Sequence, residues 1–180
     1  MATEVTEQGV SESGSAKKPG RKAAMWLVVY AVALVAGGLF AFAFAPDKGR
    51  AVTAVAIPSV CAVLVLVCAL LASLLGKSRA RGMIGIHLGL VLPLVFAVGL
   101  FIQGRKALAE VDRFEEAEAA WVAMDEGERV GLDRAAHFEA ADAPDHNTWY
   151  KAAAQLGLGV ASVLAFGLVL TARPKKSDRG

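Results

Sequence analysis

The sequence predicts an all-α, polytopic membrane protein with four transmembrane helices and an acidic helical extramembrane hairpin between helices 3 and 4. Hydrophobic residues make up 56% of the 180 residues and the mean hydropathy is +0.49, which is more apolar than an ordinary soluble domain. The apolar residues are concentrated in four blocks, each close to the ~20 residues that a helix needs to cross a bilayer. Most of the acidic residues lie in one stretch before the last block.

These blocks and the polar stretches between them divide the chain. The first residues are rich in Ser, Glu, Thr and Gly and poor in bulky apolar groups, a composition that cannot bury enough surface to fold. The predicted division is a disordered, basic-ended cytoplasmic tail (1–24), three transmembrane helices (25–45, 51–75 and 83–103), an acidic extramembrane helical insert (104–147), a fourth transmembrane helix (148–172) and a basic cytoplasmic tail (173–180).

The first apolar block begins with Trp26 and Tyr30, two amphipathic aromatic side chains that we expect at interface depth. Its basic flank, its apolar run and the small-residue pattern Ala43-Phe44-Ala45 also occur in cleaved signal peptides. The run is nevertheless about 20 residues long rather than ~7–15, and Pro46 directly follows the would-be cleavage site. A retained first span is therefore the favoured interpretation, and cleavage is the alternative.

The second block contains Pro58, which removes one helical hydrogen bond and predicts a bend near the outer end of the span. Cys61 and Cys68 lie about 10 Å apart along one helix axis, beyond the ~7 Å Cα separation that a disulfide allows. We therefore expect both to act as small packing residues. They belong to a stripe of mostly small side chains suited to close helix packing: Ala54, Pro58, Cys61, Val65, Cys68 and Ala72.

The third block carries a ridge of small residues. Gly85, Gly89, Pro93 and Ala97 follow one another at intervals of four, which places them on one face of a helix. Pro93 clashes with the carbonyl of residue 89, so a kink is expected where glycine already leaves the backbone least hindered. The ridge is predicted to be a helix-packing face.

His87 is the only Asp, Glu, Lys, Arg or His side chain in the aliphatic part of any predicted span. It lies about 200° around the helix from Gly85 and from Gly89, so it points away from the ridge. Its depth is only about 6 Å past Met83, near the cytoplasmic edge. Two interpretations stand: a proton or substrate contact, and the favoured one, an interfacial or hydrogen-bonded helix residue.

The insert predicts a helical hairpin. An amphipathic helix should continue out of the third span, break near 127–131 and be followed by a second short helix around 132–141. Asn147 or Thr148 is expected to cap the last helix, with Trp149 and Tyr150 at the outer interface. The apolar side of the first of these helices consists of Leu108, Val111, Phe114, Ala117 and Trp121.

One cluster in the insert has the side-chain types of a metal site: His137, Glu139, Asp142, Asp145 and His146. Their spacing matches no recognised metal site, and residues 137 and 139 diverge on a helix, so a solvated acidic face is the better interpretation. The chain contains no Walker loop, no dinucleotide glycine fingerprint, no HExxH and no nucleophile elbow. The prediction is therefore no enzyme, no catalytic, metal or cofactor-binding residue, and no cofactor.

The predicted orientation in the membrane follows from the distribution of Lys and Arg residues between the two sides. With the amino terminus inside, eleven of these residues fall on the cytoplasmic side and eight on the other, where they are spread over a much longer stretch. Positively charged loops stay in the cytoplasm. The prediction is a multi-pass protein of the cell membrane with both termini cytoplasmic.

The predicted function is that of a non-enzymatic accessory or structural protein acting through helix packing and partner contacts. Its expected partners are the lipid bilayer and either a second copy or another membrane protein. Nucleic acid is not expected, since the formal net charge is only +2. The alternative is a small transporter or channel subunit that uses His87 and the kinks at Pro58 and Pro93, although transport sites usually carry polar residues at the midplane.

Overall fold

The computed structural model describes residues 20–172, and in that range the chain is all-helical with no strand. This confirms the all-α part of the predicted fold class. The predictions for residues 1–19 and 173–180 lie outside the described residues. The elements are α1 (Arg21–Phe44), α2 (Lys48–Ser73), a 3-10 turn (Leu74–Gly76), α3 (Arg79–Ala123), α4 (Glu126–Arg129), α5 (Arg134–Ala140) and α6 (Trp149–Thr171).

Some helix ends differ from the predicted ones, and in the turn between α1 and α2 side-chain hydrogen bonds account for the difference. α1 begins at Arg21, so residues 21–24 are helical and not part of a disordered tail. α2 begins at Lys48 rather than at 51, since the Asp47 carboxylate accepts a hydrogen bond of 2.9 Å from the backbone N–H of Gly49. Lys48 Nζ in turn donates to the carbonyl oxygens of Phe42 and Ala43, each at 2.8 Å, and closes the end of α1.

α3 joins the third apolar block to the charged insert without a break. It contains 45 residues, which corresponds to a length of about 68 Å at 1.5 Å per residue. An apolar core of a bilayer is only about 30 Å thick. The helix is therefore long enough to cross a membrane and to continue well beyond it.

The four long helices pack in the cyclic order α1, α2, α3, α6, and each contacts two neighbours. Neighbours are antiparallel. Gly104 of α3 faces Leu156 of α6, for example, and Phe101 faces Gly159. The largest buried cluster lies between the helices and includes Leu27, Leu34, Val65, Ile86, Leu90, Leu158 and Val169.

The outer surface of the bundle carries many large aliphatic side chains. All four long helices satisfy the length and hydropathy of a membrane span. The apolar window of α2 has a mean hydropathy of 2.8, yet only 22% of it is buried. A bundle with so much exposed aliphatic surface needs an apolar surrounding, because large exposed apolar surfaces are rare in monomeric soluble proteins. The helices thus indicate a multi-pass membrane protein.

Gly85 sets the distance between α3 and α2. A Cβ atom at this position would lie 2.6 Å from Leu71 Cβ and 2.8 Å from the carbonyl oxygen of Cys68. Both atoms belong to α2, and the second is backbone that cannot swing aside. Only glycine permits this approach.

Gly38 of α1 has the same role against α2. Pro58 cannot donate a hydrogen bond to the carbonyl of Ala54, which leaves that oxygen without its helical partner. A Cβ atom at Gly38 would lie 2.8 Å from this oxygen and 3.2 Å from Pro58 Cβ. The backbone of α1 therefore covers the point where proline interrupts α2.

We expect Gly85→Leu to destabilise the bundle by about 1–3 kcal/mol, the usual effect of overpacking. Gly99→Leu is the matched control in the same helix, since nothing lies within 4 Å of a Cβ atom there. Unfolding of the purified protein in mixed micelles, followed by circular dichroism, measures both. Equal midpoints for the two variants would show that the α2–α3 contact is not tight.

Candidate functional site

The predicted ridge lies inside the bundle. Gly85, Gly89, Pro93 and Ala97 are all buried. A Cβ atom at Gly89 would lie 2.7 Å from Leu27 Cδ1 of α1, and Gly85 faces α2 as described above. The ridge is thus occupied by the protein's own helices and is not available to a partner.

His87 lies on the outer surface of α3. Its side chain is exposed, and Nδ1 is 2.7 Å from the backbone carbonyl oxygen of Met83, one turn earlier. A carbonyl only accepts, so in this bond Nδ1 carries the proton. The imidazole therefore has a backbone partner in its own helix and does not line the interior of the bundle.

A buried polar contact that the sequence analysis missed joins α1 to α6. Tyr30 was expected at interface depth; in the structure its side chain is 2% exposed and faces the core of the bundle. Ser162 Oγ donates to the carbonyl of Leu158 at 2.7 Å, and the Tyr30 hydroxyl lies 2.6 Å from the same Oγ. Because the serine proton is already committed, the tyrosine hydroxyl is the donor.

The acidic insert (residues 104–147) is held together by contacts between α3 and α5. α5 runs antiparallel to the charged half of α3, and Phe138, which is 1% exposed, packs against Phe114 with ring centroids 5.5 Å apart. His137 Nε2 lies 3.2 Å from the carbonyl oxygen of Ala117. Arg134 pairs with Glu118 at the surface, where an ion pair contributes little. The buried phenylalanine therefore contributes most of the attachment.

Side chains also order the turn between α3 and α5. Arg129 donates to the carbonyl oxygens of Val122 at 2.6 Å and Met124 at 2.9 Å, which satisfies carbonyls at the end of α3. Asp125 and Glu128 form a capping box at the start of α4. Asp133 caps α5 by accepting from the N–H of Ala135 at 3.0 Å.

This turn presents apolar side chains to the outside. We call the exposed residues Val122, Val130 and Leu132 the apolar tip; Val130 is 82% exposed. The insert around it holds twelve acidic and five basic residues, a net charge of −7. Asp112, Glu115 and Glu116 lie exposed on α3. The surface is thus both acidic and apolar.

The predicted metal candidates do not converge. Among residues 20–172, no group of three or more His, Cys, Asp or Glu side chains is arranged to hold a metal ion. Asp142 pairs with Arg113 at 2.5 Å, and His146 pairs with Asp145 at 2.5 Å. His137 is directed towards α3. These residues line or adjoin an open depression of about 480 Å³ whose charges are largely engaged with one another.

The start of α6 carries polar and aromatic side chains. Asn147 Oδ1 accepts from the N–H of Trp149 at 2.9 Å and acts as the cap, whereas the buried Thr148 Oγ1 has no hydrogen-bond partner among the described residues. The Trp149 ring lies 5.4 Å from Phe44 and 6.1 Å from Phe40. This aromatic cluster is of the kind that occurs at a membrane interface.

The hydrogen bond between Tyr30 and Ser162 predicts a measurable coupling energy between the two side chains. We expect a double-mutant cycle of Tyr30→Phe and Ser162→Ala to yield a coupling energy of about 0.6 kcal/mol and at most about 1.7 kcal/mol, the average and the maximum for hydrogen bonds between membrane helices. Unfolding in mixed micelles measures it. Tyr150→Phe with Ser162→Ala is the control cycle, because twelve helical residues separate the two sites by about 18 Å. A coupling equal to that of the control would contradict the bond.

Comparison with protein-family models, with curated proteins and with solved structures finds no match to this chain. The function proposed below therefore rests on the bundle, on the acidic insert and on how α3 connects them.

Proposed function

We propose that the protein is a non-enzymatic, multi-pass component of the cell membrane that holds an acidic helical hairpin outside the membrane to bind a partner protein. The observation that carries this proposal is the continuity of α3. One helix of 45 residues supplies both a wall of the bundle and the surface on which α5 packs. The acidic surface is therefore fixed relative to the bundle and does not hang from a flexible linker.

The distribution of charge supports the orientation. Arg21, Lys22, Lys77, Arg79 and Arg81 all lie at one end of the bundle, at the start of α1, the end of α2 and the start of α3. The acidic insert lies at the opposite end of α3. Because basic flanks are retained in the cytoplasm, the basic end faces inward and the insert outward. Both termini are then cytoplasmic.

The chemistry of the insert indicates the kind of partner. A net charge of −7 attracts a basic surface and accelerates its encounter with the insert. The apolar tip supplies aliphatic side chains that a partner can bury, which is where binding energy concentrates. The caps at Asp125, Arg129 and Asp133 hold the tip in one conformation before binding, which lowers the entropic cost of association.

A transport function receives less support. His87 is on the outside of α3, and the region around Pro58 is packed against Gly38 rather than open. The ridge that contains Pro93 is likewise buried against other helices. The features on which that hypothesis depends therefore do not share a path through the bundle.

The orientation is tested by cysteine labelling of intact cells. In a variant whose native cysteines are replaced by Cys61→Ala and Cys68→Ala, Gly127→Cys should react with a membrane-impermeant maleimide. Gly127 is suitable because nothing lies within 4 Å of its Cβ position. Lys77→Cys, at the basic end, should react only after lysis. The opposite pattern would overturn the proposed orientation.

Partner binding is tested by crosslinking in native membranes. A photo-crosslinking residue in place of Val130 should give one protein adduct of defined mass, whereas the same residue in place of the exposed, span-located Ile84 should give only lipid adducts. Charge reversal by Glu116→Lys with Glu126→Lys should reduce the adduct severalfold through lost attraction. His87→Ala is the control and should leave it unchanged. A tip that crosslinks to no protein would refute the proposal.

A further inference from the structure

An open groove runs between α1 and α2 at the basic end of the bundle. Its volume is about 420 Å³. The lining runs from Arg21 to Val28 on α1 and from Ser73 back to Leu66 on α2, about 10 Å on each helix. Apart from the terminal Arg21 and Ser73, it is made of Ala24, Met25, Val28, Leu66, Ala69 and Leu70.

The groove is amphipathic along its length. Arg21 and Ser73 lie at one end, where the helices leave the apolar part of the span, and Val28 and Leu66 lie at the other, towards the middle of the bundle. Ala24 and Ala69 form part of the lining, and their short side chains leave room between two long helices. An occupant must therefore be polar at one end and aliphatic for about 10 Å beyond it.

The polar end is cationic. Within the described residues of this end, 20–25, 70–82 and 168–172, there are five Lys or Arg and no Asp or Glu. Among these described residues, Arg21 therefore has no carboxylate to pair with. The hydroxyl of Ser73 donates to the carbonyl of Leu70 at 2.6 Å, so its proton is committed. Arg21 is the hydrogen-bond donor that remains at the mouth of the groove, and its fork of N–H groups suits a phosphate.

We propose that this groove binds one anionic phospholipid, with the phosphate at Arg21 and the upper part of an acyl chain between α1 and α2. Charge complementarity selects the headgroup, and the apolar walls accept the chain. The proposal goes beyond partner binding by the insert. It does not depend on which side of the membrane the basic end faces, so its failure leaves the proposed function untouched.

The test measures lipid retention by the purified full-length protein. Native mass spectrometry in detergent with equimolar phosphatidylglycerol and phosphatidylcholine should show one preferred phosphatidylglycerol. Arg21→Ala should lower that preference about fivefold, the contribution of one basic residue next to an anionic lipid surface. Lys22→Ala removes the same charge from the same turn of α1 but does not line the groove, and should leave the preference near the wild-type value.

A second pair of variants distinguishes the contribution of the apolar groove to lipid binding from the contribution of the basic charge. Val28→Trp should fill the groove and weaken phosphatidylglycerol binding while every basic residue is retained. Val29→Trp is the control, because Val29 is exposed but does not line the groove. The proposal is overturned if the wild type shows no preference for phosphatidylglycerol, if Lys22→Ala lowers the preference as much as Arg21→Ala, or if Val28→Trp binds like Val29→Trp.

Discussion

Close backbone approach between antiparallel helices is the constraint on which the rest of this structure depends. In a membrane the hydrophobic effect does not drive helices together, so association relies on van der Waals packing and on a few hydrogen bonds. Gly85 and Gly38 bring α3 and α1 against the backbone of α2, and Gly104 admits Leu156 of α6 against α3. Once these approaches are made, the direction of every other side chain on the four helices is determined.

The outward direction of the bulky residues is one result. Because the ridge of α3 faces inward, Leu88, Val91 and Val95 face outward. The side chain of His87 faces outward as well. The interior holds the small residues of the ridge, the aliphatic side chains of the buried cluster and the hydrogen-bonded pair of Tyr30 and Ser162. The polar atoms of this pair satisfy each other and the carbonyl of Leu158. A buried hydroxyl without a partner would be costly in hydrocarbon. The pair therefore also fixes the register of α1 against α6.

Structural features that depend on local composition were predicted from the sequence. Features that depend on a contact with a residue distant in the chain were not. Apolar length alone located all four long helices, and the four-residue spacing identified Gly85, Gly89, Pro93 and Ala97 as one face. The inward direction of Tyr30 was not predicted, because its partner Ser162 lies 132 residues away in the chain. The start of α2 was missed because Asp47 caps it from within an apparent loop. The groove at Arg21 could not be predicted either, because its walls come from two helices whose relative register only packing establishes.

At the basic end of the bundle, the positions of the Lys and Arg residues are unfavourable for the stability of the helices that carry them. Arg21 and Lys22 lie in the first turn of α1, and Arg79 and Arg81 in the first turn of α3, and neither turn contains an acid. The helix macrodipole disfavours cations at a helix amino terminus by about 0.3–1 kcal/mol each. An anionic membrane surface attracts each basic residue by about 1 kcal/mol, which offsets that cost. These residues are thus poorly placed for an isolated helix and well placed beside phosphate groups. The lipid proposed for the α1–α2 groove would combine both requirements, because its phosphate would neutralise a cation at a helix start while its chain covers an apolar wall.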